Sequence, residues 1–433
     1  MYIPKKSIII IIVVLSVAVA AGALVIHYIL DNRIETVELS EPETPSSAPS
    51  PSVAPPPEPS SEPSSEPEQI KSPAFEAVAA MGVGWNLGNT LDSIDNQKRG
   101  ILSELTNITP EEFYETYWGN PVTTKAMIDA VAQAGFGAVR IPVTYADHMD
   151  EQFVIRAEWL NRVEEVVNYV LDNSLYCVIN LHHDTGHGSW PWLKADPDNL
   201  AALERRLNDV WTQIAGHFIG YGDKLIFESF NEILDTQDRW SGTDTSAYYI
   251  VNRLNQTFVD AVRATGGANT RRLLIVKPYA ASADAEALDA FIIPDDTAEG
   301  QLIFAAHYYG PMLFTWRQES VNWATVYDDW RPDRDGQPVE DFIDRLNESF
   351  ISKGIPVIVG EFGAKNKNNT AARVDYAAHY INTAKRYGAA CFWWDDGGRF
   401  YSADEVNSHA LLDRVNNNWF FPEIVEVMIK ALR

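Results

Sequence analysis

The stretch Pro356-Val357-Ile358-Val359-Gly360-Glu361 is apolar for four residues and then turns abruptly to Gly and Glu. An uninterrupted apolar run of this length, with no alternation, is the pattern of a strand buried on both faces. Seven further runs of the same kind occur, at residues 82–86, 138–143, 176–181, 225–230, 273–276, 302–306 and 390–394. Amphipathic stretches separate them. Leu160, Val163, Val166, Val167, Val170 and Leu171 recur at helical spacing, as do Met127, Ile128, Val131 and Ala132, which Gly135 ends. Eight strands alternating with crossovers predict an α/β fold of the (β/α)₈, or TIM, barrel type. A doubly wound sheet is the alternative, but no phosphate-binding glycine fingerprint follows the first run.

Length and composition fit one such domain over residues 72–433. The chain has 433 residues, and a prior of roughly 150 residues per domain suggests more than one. A single barrel, however, takes about 250 residues or more. The residues before it cannot build a core. Lys5 and Lys6 precede an apolar run at 8–30 in which only Ser16 and His27 are clearly polar. That run exceeds the roughly 7–15 residues of a secretory h-region and fits the roughly 20 of a membrane helix. Residues 1–31 are therefore expected to be a signal-anchor in a bacterial membrane, its lysines cytoplasmic and the remainder outside. Cleavage near the small residues at 18–23 would instead secrete the protein. Residues 32–71 are rich in Pro, Ser and Glu, and are read as a disordered spacer.

The net charge is −26. Residues 1–71 hold four basic and nine acidic side chains, which leaves −21 on the rest. Such a surface excludes nucleic acid as a partner, because phosphate binding needs a basic stripe. A neutral polymer is compatible with it. The 13 Trp and 18 Tyr exceed what packing asks for and offer flat faces to sugar rings. Cys177 and Cys391, the two cysteines, fall in the third and last runs. These are not neighbours, so buried free thiols are expected rather than a disulfide.

In a barrel the chemistry gathers where strands end. The ends read here are Trp85, Asn86 and Asn89; Arg140; His182, His183 and Asp184; Asn231 and Glu232; His307 and Tyr309; Glu361; and Trp394, Asp395 and Asp396. The fifth run supplies none. Glu232 and Glu361 end the fourth and seventh strands, which face each other across the mouth. Retaining glycoside hydrolysis needs two carboxyls about 5–5.5 Å apart, one protonated and one ionised. Arg140 would favour ionisation of Glu361, and Tyr309 would donate a hydrogen bond to the same carboxylate. Glu232 has no cation beside it in sequence, so it would hold a proton near neutral pH. Asn231 is placed for a sugar 2-hydroxyl and Trp394 for stacking on a ring. Asn86 is read as a supporting residue.

These residues resemble glycoside hydrolase family 5, a retaining (β/α)₈ family, and within it subfamily 4, typical of anaerobic plant-fibre degraders. The resemblance rests on Gly84-Trp85-Asn86-Leu87-Gly88-Asn89-Thr90, Val139-Arg140-Ile141-Pro142-Val143-Thr144, Ile179-Asn180-Leu181-His182-His183-Asp184, Phe230-Asn231-Glu232, His307-Tyr308-Tyr309, Gly360-Glu361-Phe362 and Trp393-Trp394-Asp395. All seven occur in order, and Pro422-Glu423-Ile424 looks familial too. The resemblance implies Glu232 as acid/base and Glu361 as nucleophile. It puts Arg140, His182, Asn231, His307, Tyr309 and Trp394 on the remaining active-site positions and makes His183 a substrate contact. It implies an endo-β-1,4-glucanase acting on plant cell-wall polysaccharide, without cofactor or metal; together with the apolar run at 8–30, a monomer on the outer face of the cell membrane is expected.

Tyr145 stands where the pattern has Trp, and Ile233 where Pro is usual. The first is expected to alter a sugar subsite, which leaves cellulose, xyloglucan, mixed-linkage glucan, xylan and mannan open. The loop 184–193, with His187, Trp190 and Trp192, is expected to build one wall of the cleft. The stretch 309–330, with Phe314, Trp316, Trp323 and Trp330, is expected to build another. Two rivals are a metal hydrolase using His182, His183, Asp184 and His307, and a non-catalytic glycan-binding protein. Adjacent histidines would point apart from a strand, against the first. The complete carboxylate pair argues against the second.

Overall fold

The computed structural model describes residues 72–95, 107–317, 325–398 and 408–432. Each apolar run forms one strand: β1 (Val83–Leu87), β2 (Ala138–Ile141), β3 (Tyr176–Asn180), β4 (Leu225–Glu228), β5 (Leu274–Val276), β6 (Leu302–His307), β7 (Val357–Phe362) and β8 (Ala390–Asp395). All neighbours pair in parallel, and β8 closes on β1 through Asn86 opposite Trp394, which makes a closed eight-stranded barrel. That closure removes the doubly wound alternative. Helices cover the outside, among them Lys125–Ala134, Ala157–Asp172, Leu200–His217, Thr245–Ala264, Gln337–Ser349 and Thr370–Lys385. Met127, Ile128 and Val131 are buried on the first, and Leu160, Val163, Val166, Val167 and Val170 on the second, so the helical periodicity read from sequence faces the sheet.

The strand limits differ from the apolar runs in an instructive way. β2 stops at Ile141 because Pro142 has no N–H to continue the ladder. β7 runs three residues beyond its apolar stretch, so Glu361 lies inside the sheet, paired with His307 on β6. The register shifts on both sides of β7, between Ala306 and His307 and between Val359 and Phe362. An irregularity of this kind re-aims the side chains around it. Asn86, His307 and Trp394 likewise lie within strands, which hold side chains more rigidly than loops do.

The N-terminal mouth is filled by a short helix, Pro73–Met81, that leads directly into β1. Ser72 caps it by accepting from Phe75 N–H, and Pro73 occupies a first-turn position where no N–H is needed. Ala74, Ala77, Val78 and Met81 pack against Ala138, Val178, Ile226, Ile275, Ile303, Ile358 and Phe392 from the barrel interior. Gly84 makes room for this layer: a Cβ there would lie 2.2 Å from the Phe392 ring. Cys177 and Cys391 are buried and unpaired.

Among the described residues no helix is long and apolar enough to cross a membrane. The anchor expected at 1–31 and the spacer at 32–71 lie outside the described residues.

Candidate active site

Arg140, near the end of β2 and fully buried, organises the C-terminal mouth. Its Nη1 donates to Glu361 Oε1 at 2.8 Å and to Asn86 Oδ1 at 2.9 Å. Nη2 donates to Glu228 Oε1 at 2.7 Å and to Asn231 Oδ1 at 3.0 Å, and Nε donates to Glu228 Oε2 at 3.0 Å. The guanidinium thus binds one carboxylate bidentately and a second through one arm, a geometry that lysine lacks. Asn86 is held in the same network. Its amide donates to the Gly360 and Trp393 carbonyls at 3.0 and 3.2 Å, tying β1 to β7 and β8.

The two sequence-predicted carboxylates meet at this mouth in different surroundings. Tyr309 Oη donates to Glu361 Oε2 at 2.8 Å, so each oxygen of Glu361 accepts from a fixed donor. Glu232 receives no Arg. His307 Nδ1 lies 2.7 Å from Glu232 Oε1 and 3.6 Å from Glu361 Oε1. Burial, and then the charge of Glu361, push the Glu232 carboxyl up to about 8, against the opposing pull of Lys277 and Arg140. An oxygen of Glu232 and one of Glu361 lie within 4.8 Å of each other, with His307 between them.

Two members of this network escaped the sequence reading. Glu228 lies inside β4, fully buried between Arg140 and Lys277. Burial alone would raise its carboxyl, but the two cations outweigh it and hold it at about 2. Lys277, also fully buried, is the first residue after β5, the one strand end that supplied nothing in sequence. Both carried a signal: a charge in or directly after a run buried on both faces needs a partner.

The remaining predicted residues divide. His182 is buried and stacks on Trp394, with ring centroids 5.6 Å apart and planes 9° apart. His183 is partly open and meets Trp118 edge-on. The two histidines do not point apart as expected, since their Nε2 atoms lie 3.9 and 3.8 Å from the same Asp92 Oδ2. Burial pushes the Asp92 carboxyl up to about 7, although backbone N–H groups of Thr90 and Asn89 oppose it. Asp184 and Asp395 are not cleft residues. Asp184 accepts from Tyr145 N–H and Trp192 Nε1, while Asp395 holds Trp85 Nε1 and the N–H groups of Leu411 and Leu412.

These groups open into a cleft of about 720 Å³ lined by Asn231, Glu232, Glu361, His182, His183, Tyr309 and Trp394, with Asn89, Trp118, Trp240, Met312, Trp316, Lys365, Asp396 and His409 around them. Trp240 and Trp316 are 50% and 39% exposed. Tyr145 differs from the sequence reading: it is fully buried and does not line the cleft. The two aromatic stretches also separate. Trp316 reaches the cleft, Phe314 and Trp330 are core, and Trp323 lies outside the described residues. Trp190 and Trp192 line a smaller cavity of about 170 Å³ with Asp95 and Asp147, which contains none of the strand-end residues.

Residues 103–399 match the family described as Cellulase (glycosyl hydrolase family 5). Endoglucanase A of Clostridium longisporum is 37% identical over 365 residues, covering 83% of this chain and 66%, just under two thirds, of that protein's length. A GH5-4 broad-specificity endoglucanase from Ruminococcus champanellensis, solved with bound cellotriose, superposes with a TM-score of 0.73 at 37% identity, over 84% of this chain and all (100%) of that one. A family 5 enzyme from Prevotella bryantii, solved with a xyloglucan tetradecasaccharide, superposes with a TM-score of 0.72 at 34% identity, over 84% of this chain and 99% of that one. With its closed barrel, its carboxylate pair and this family match over residues 103–399, the chain belongs to glycosyl hydrolase family 5.

Proposed function

We propose that this chain is a retaining endo-β-1,4-glucanase in which Glu232 is the acid/base and Glu361 the nucleophile. The observation that carries the reading is a pair of carboxylates with oxygens within 4.8 Å, one clamped by Arg140 and Tyr309 and the other free of any arginine. Retaining enzymes place these groups about 5–5.5 Å apart and inverting ones about 6.5–9.5 Å apart.

In the first step Glu361 attacks the anomeric carbon while Glu232 gives its proton to the glycosidic oxygen. The C–O bond breaks, and a glycosyl ester forms on Glu361. In the second step Glu232, now a carboxylate, takes a proton from water. The water oxygen attacks the same carbon, the ester breaks, and both side chains return to their starting states. Asn231, whose Oδ1 is held by Arg140, offers its amide N–H to the sugar 2-hydroxyl, and Trp394 stacks on the ring. Trp118, Trp240 and Trp316 extend the apolar surface for neighbouring sugars. The cellotriose and xyloglucan complexes of the relatives support a glucan backbone as substrate, side-chain decorations included.

The test is reducing-end release from a panel of cellulose, xyloglucan, mixed-linkage glucan, xylan and mannan. Glu361→Gln and Glu232→Gln are each expected to abolish polymer hydrolysis. Glu232→Gln alone should retain the first step on an aryl cellobioside with a good leaving group, where protonation matters less. Full polymer activity in either variant overturns the assignment.

The same proposal places the enzyme on the outer membrane face as a monomer, held by the apolar run at 8–30 and a Pro/Ser/Glu spacer. Release of the enzyme from washed membranes by detergent but not by salt is the expected behaviour. Recovery in the culture fluid, with a new N-terminus near 18–23, would show cleavage instead.

A further inference from the structure

Lys277 Nζ lies 2.7 Å from His307 Nε2 and 2.8 Å from Glu228 Oε1. Its backbone is fixed from the helix Thr245–Ala264: the Asn255 amide donates to the Lys277 carbonyl at 2.7 Å, and Lys277 N–H donates to Asn255 Oδ1 at 3.2 Å. The space is closed from β7, where a Cβ on Gly360 would come within 3.0 Å of His307 Nε2 and 3.8 Å of Lys277 Nζ. Paired with the Glu228 carboxylate at 2.8 Å, Lys277 is an ammonium, which has only donors, so towards His307 it donates. Nε2 must then accept, and the ring proton must sit on Nδ1, because the bond at one ring nitrogen decides the state of the other. Nδ1 faces Glu232 Oε1 at 2.7 Å.

We propose that Lys277 is a positioning residue of the reaction, which locks His307 in the Nδ1–H tautomer so that the ring donates to Glu232 Oε1 and leaves the acid proton on Glu232 Oε2. The inference rests on the reading of Glu232 as acid/base. Without Lys277 the ring is free to turn Nδ1 into an acceptor. It would then compete for the proton that Glu232 must deliver to the glycosidic oxygen. The charged groups around Lys277 are Glu228 on β4, Arg140 on β2 and Glu361 on β7. Burial lowers the His307 imidazolium form well below its usual range, and the cations Lys277 and Arg140 add to this. A neutral ring with one defined tautomer follows.

Two measurements test this on the full chain. In ¹⁵N-histidine spectra of the parent, with His307 identified by its loss in a His307→Gln variant, the expected result is protonation at Nδ1 only. Protonation at Nε2, or at both nitrogens, overturns the proposal and needs no variant of Lys277. In Lys277→Met, kcat on soluble β-glucan is expected to fall on the order of tenfold, a fraction of the 10²–10⁴ that acid–base catalysis supplies. The alkaline limb should move to higher pH as a nearby cation is lost. On a dinitrophenyl cellobioside, whose departure needs no acid, kcat/KM should stay within about twofold. Equal losses on both substrates, or unchanged polymer activity, overturn the proposal. Failure of the underlying reading is a separate outcome, seen as polymer activity retained by Glu232→Gln.

Discussion

At the N-terminal mouth of the barrel, Ala74, Ala77, Val78 and Met81 meet Ile226, Ile303, Ile358 and Phe392 in an apolar layer. At the C-terminal mouth of the same strands, Arg140, Glu228, Lys277, His307, Glu232 and Glu361 form a chain of charge-assisted contacts. One end is held by burial, which tolerates swaps of similar volume. The other is held by pairing in a poorly solvated place, where removing one member strands its partner. The contrast teaches that the strands serve as a common ruler. Their lower ends supply stability, and their upper ends use part of it to hold like charges together.

Breaking the upper end should have the largest effect. Arg140→Met leaves Glu228 and Glu361 without their shared cation, and a buried pair broken from one side costs about 3–5 kcal/mol. Chemical denaturation should report that loss, and β-glucan kcat/KM should fall by at least about 100-fold as Glu361 loses its clamp. The lower end should fail differently. Gly84→Ala drives a methyl into the Phe392 ring, and overpacking of this kind costs about 1–3 kcal/mol. Its kcat/KM on β-glucan should stay within about twofold of the parent, and a larger loss would show that the two ends are mechanically coupled.

A pH titration sharpens the comparison at the upper end. In the proposed mechanism Glu232 must be protonated for the first step, and its carboxyl is pushed up to about 8. Polymer kcat/KM should therefore hold through neutral pH and fall about tenfold per unit above that value, the slope of a single ionisation. An alkaline limb near pH 5 would contradict the surroundings described for Glu232. The smallest effect is expected from Tyr145→Trp. Because Tyr145 is buried away from the cleft, the ratio of activities on xyloglucan and mannan should not move. The enlarged ring should appear only as a modest loss of stability, about 1–3 kcal/mol.

The barrel was legible because strands buried on both faces read as predominantly apolar runs without alternation, and all eight were present. The positions proposed as catalytic could be picked out in the sequence because they sit at the ends of those runs. Three things were not. Glu228 sits inside a run, where a pattern search sees only a short interruption. Lys277 follows the shortest strand and resembles a loop residue until the barrel closes around it. Tyr145 was misplaced because sequence gives its neighbours along the chain but not the face it takes, and its backbone N–H is pulled toward Asp184 rather than the cleft. Trp118, Trp240, Lys365 and His409 reach the cleft from loops, whose paths leave no periodic signal.

The two cysteines have a practical consequence. Cys177 and Cys391 are buried in the barrel wall on separate strands, and burial pushes both thiols up, away from the reactive thiolate. The domain therefore has no covalent crosslink to form on folding and none to lose. Its yield and activity should be indifferent to the redox state of the compartment or the flask. Added dithiothreitol should leave both unchanged, which suits the enzyme to digests that must be kept strongly reducing.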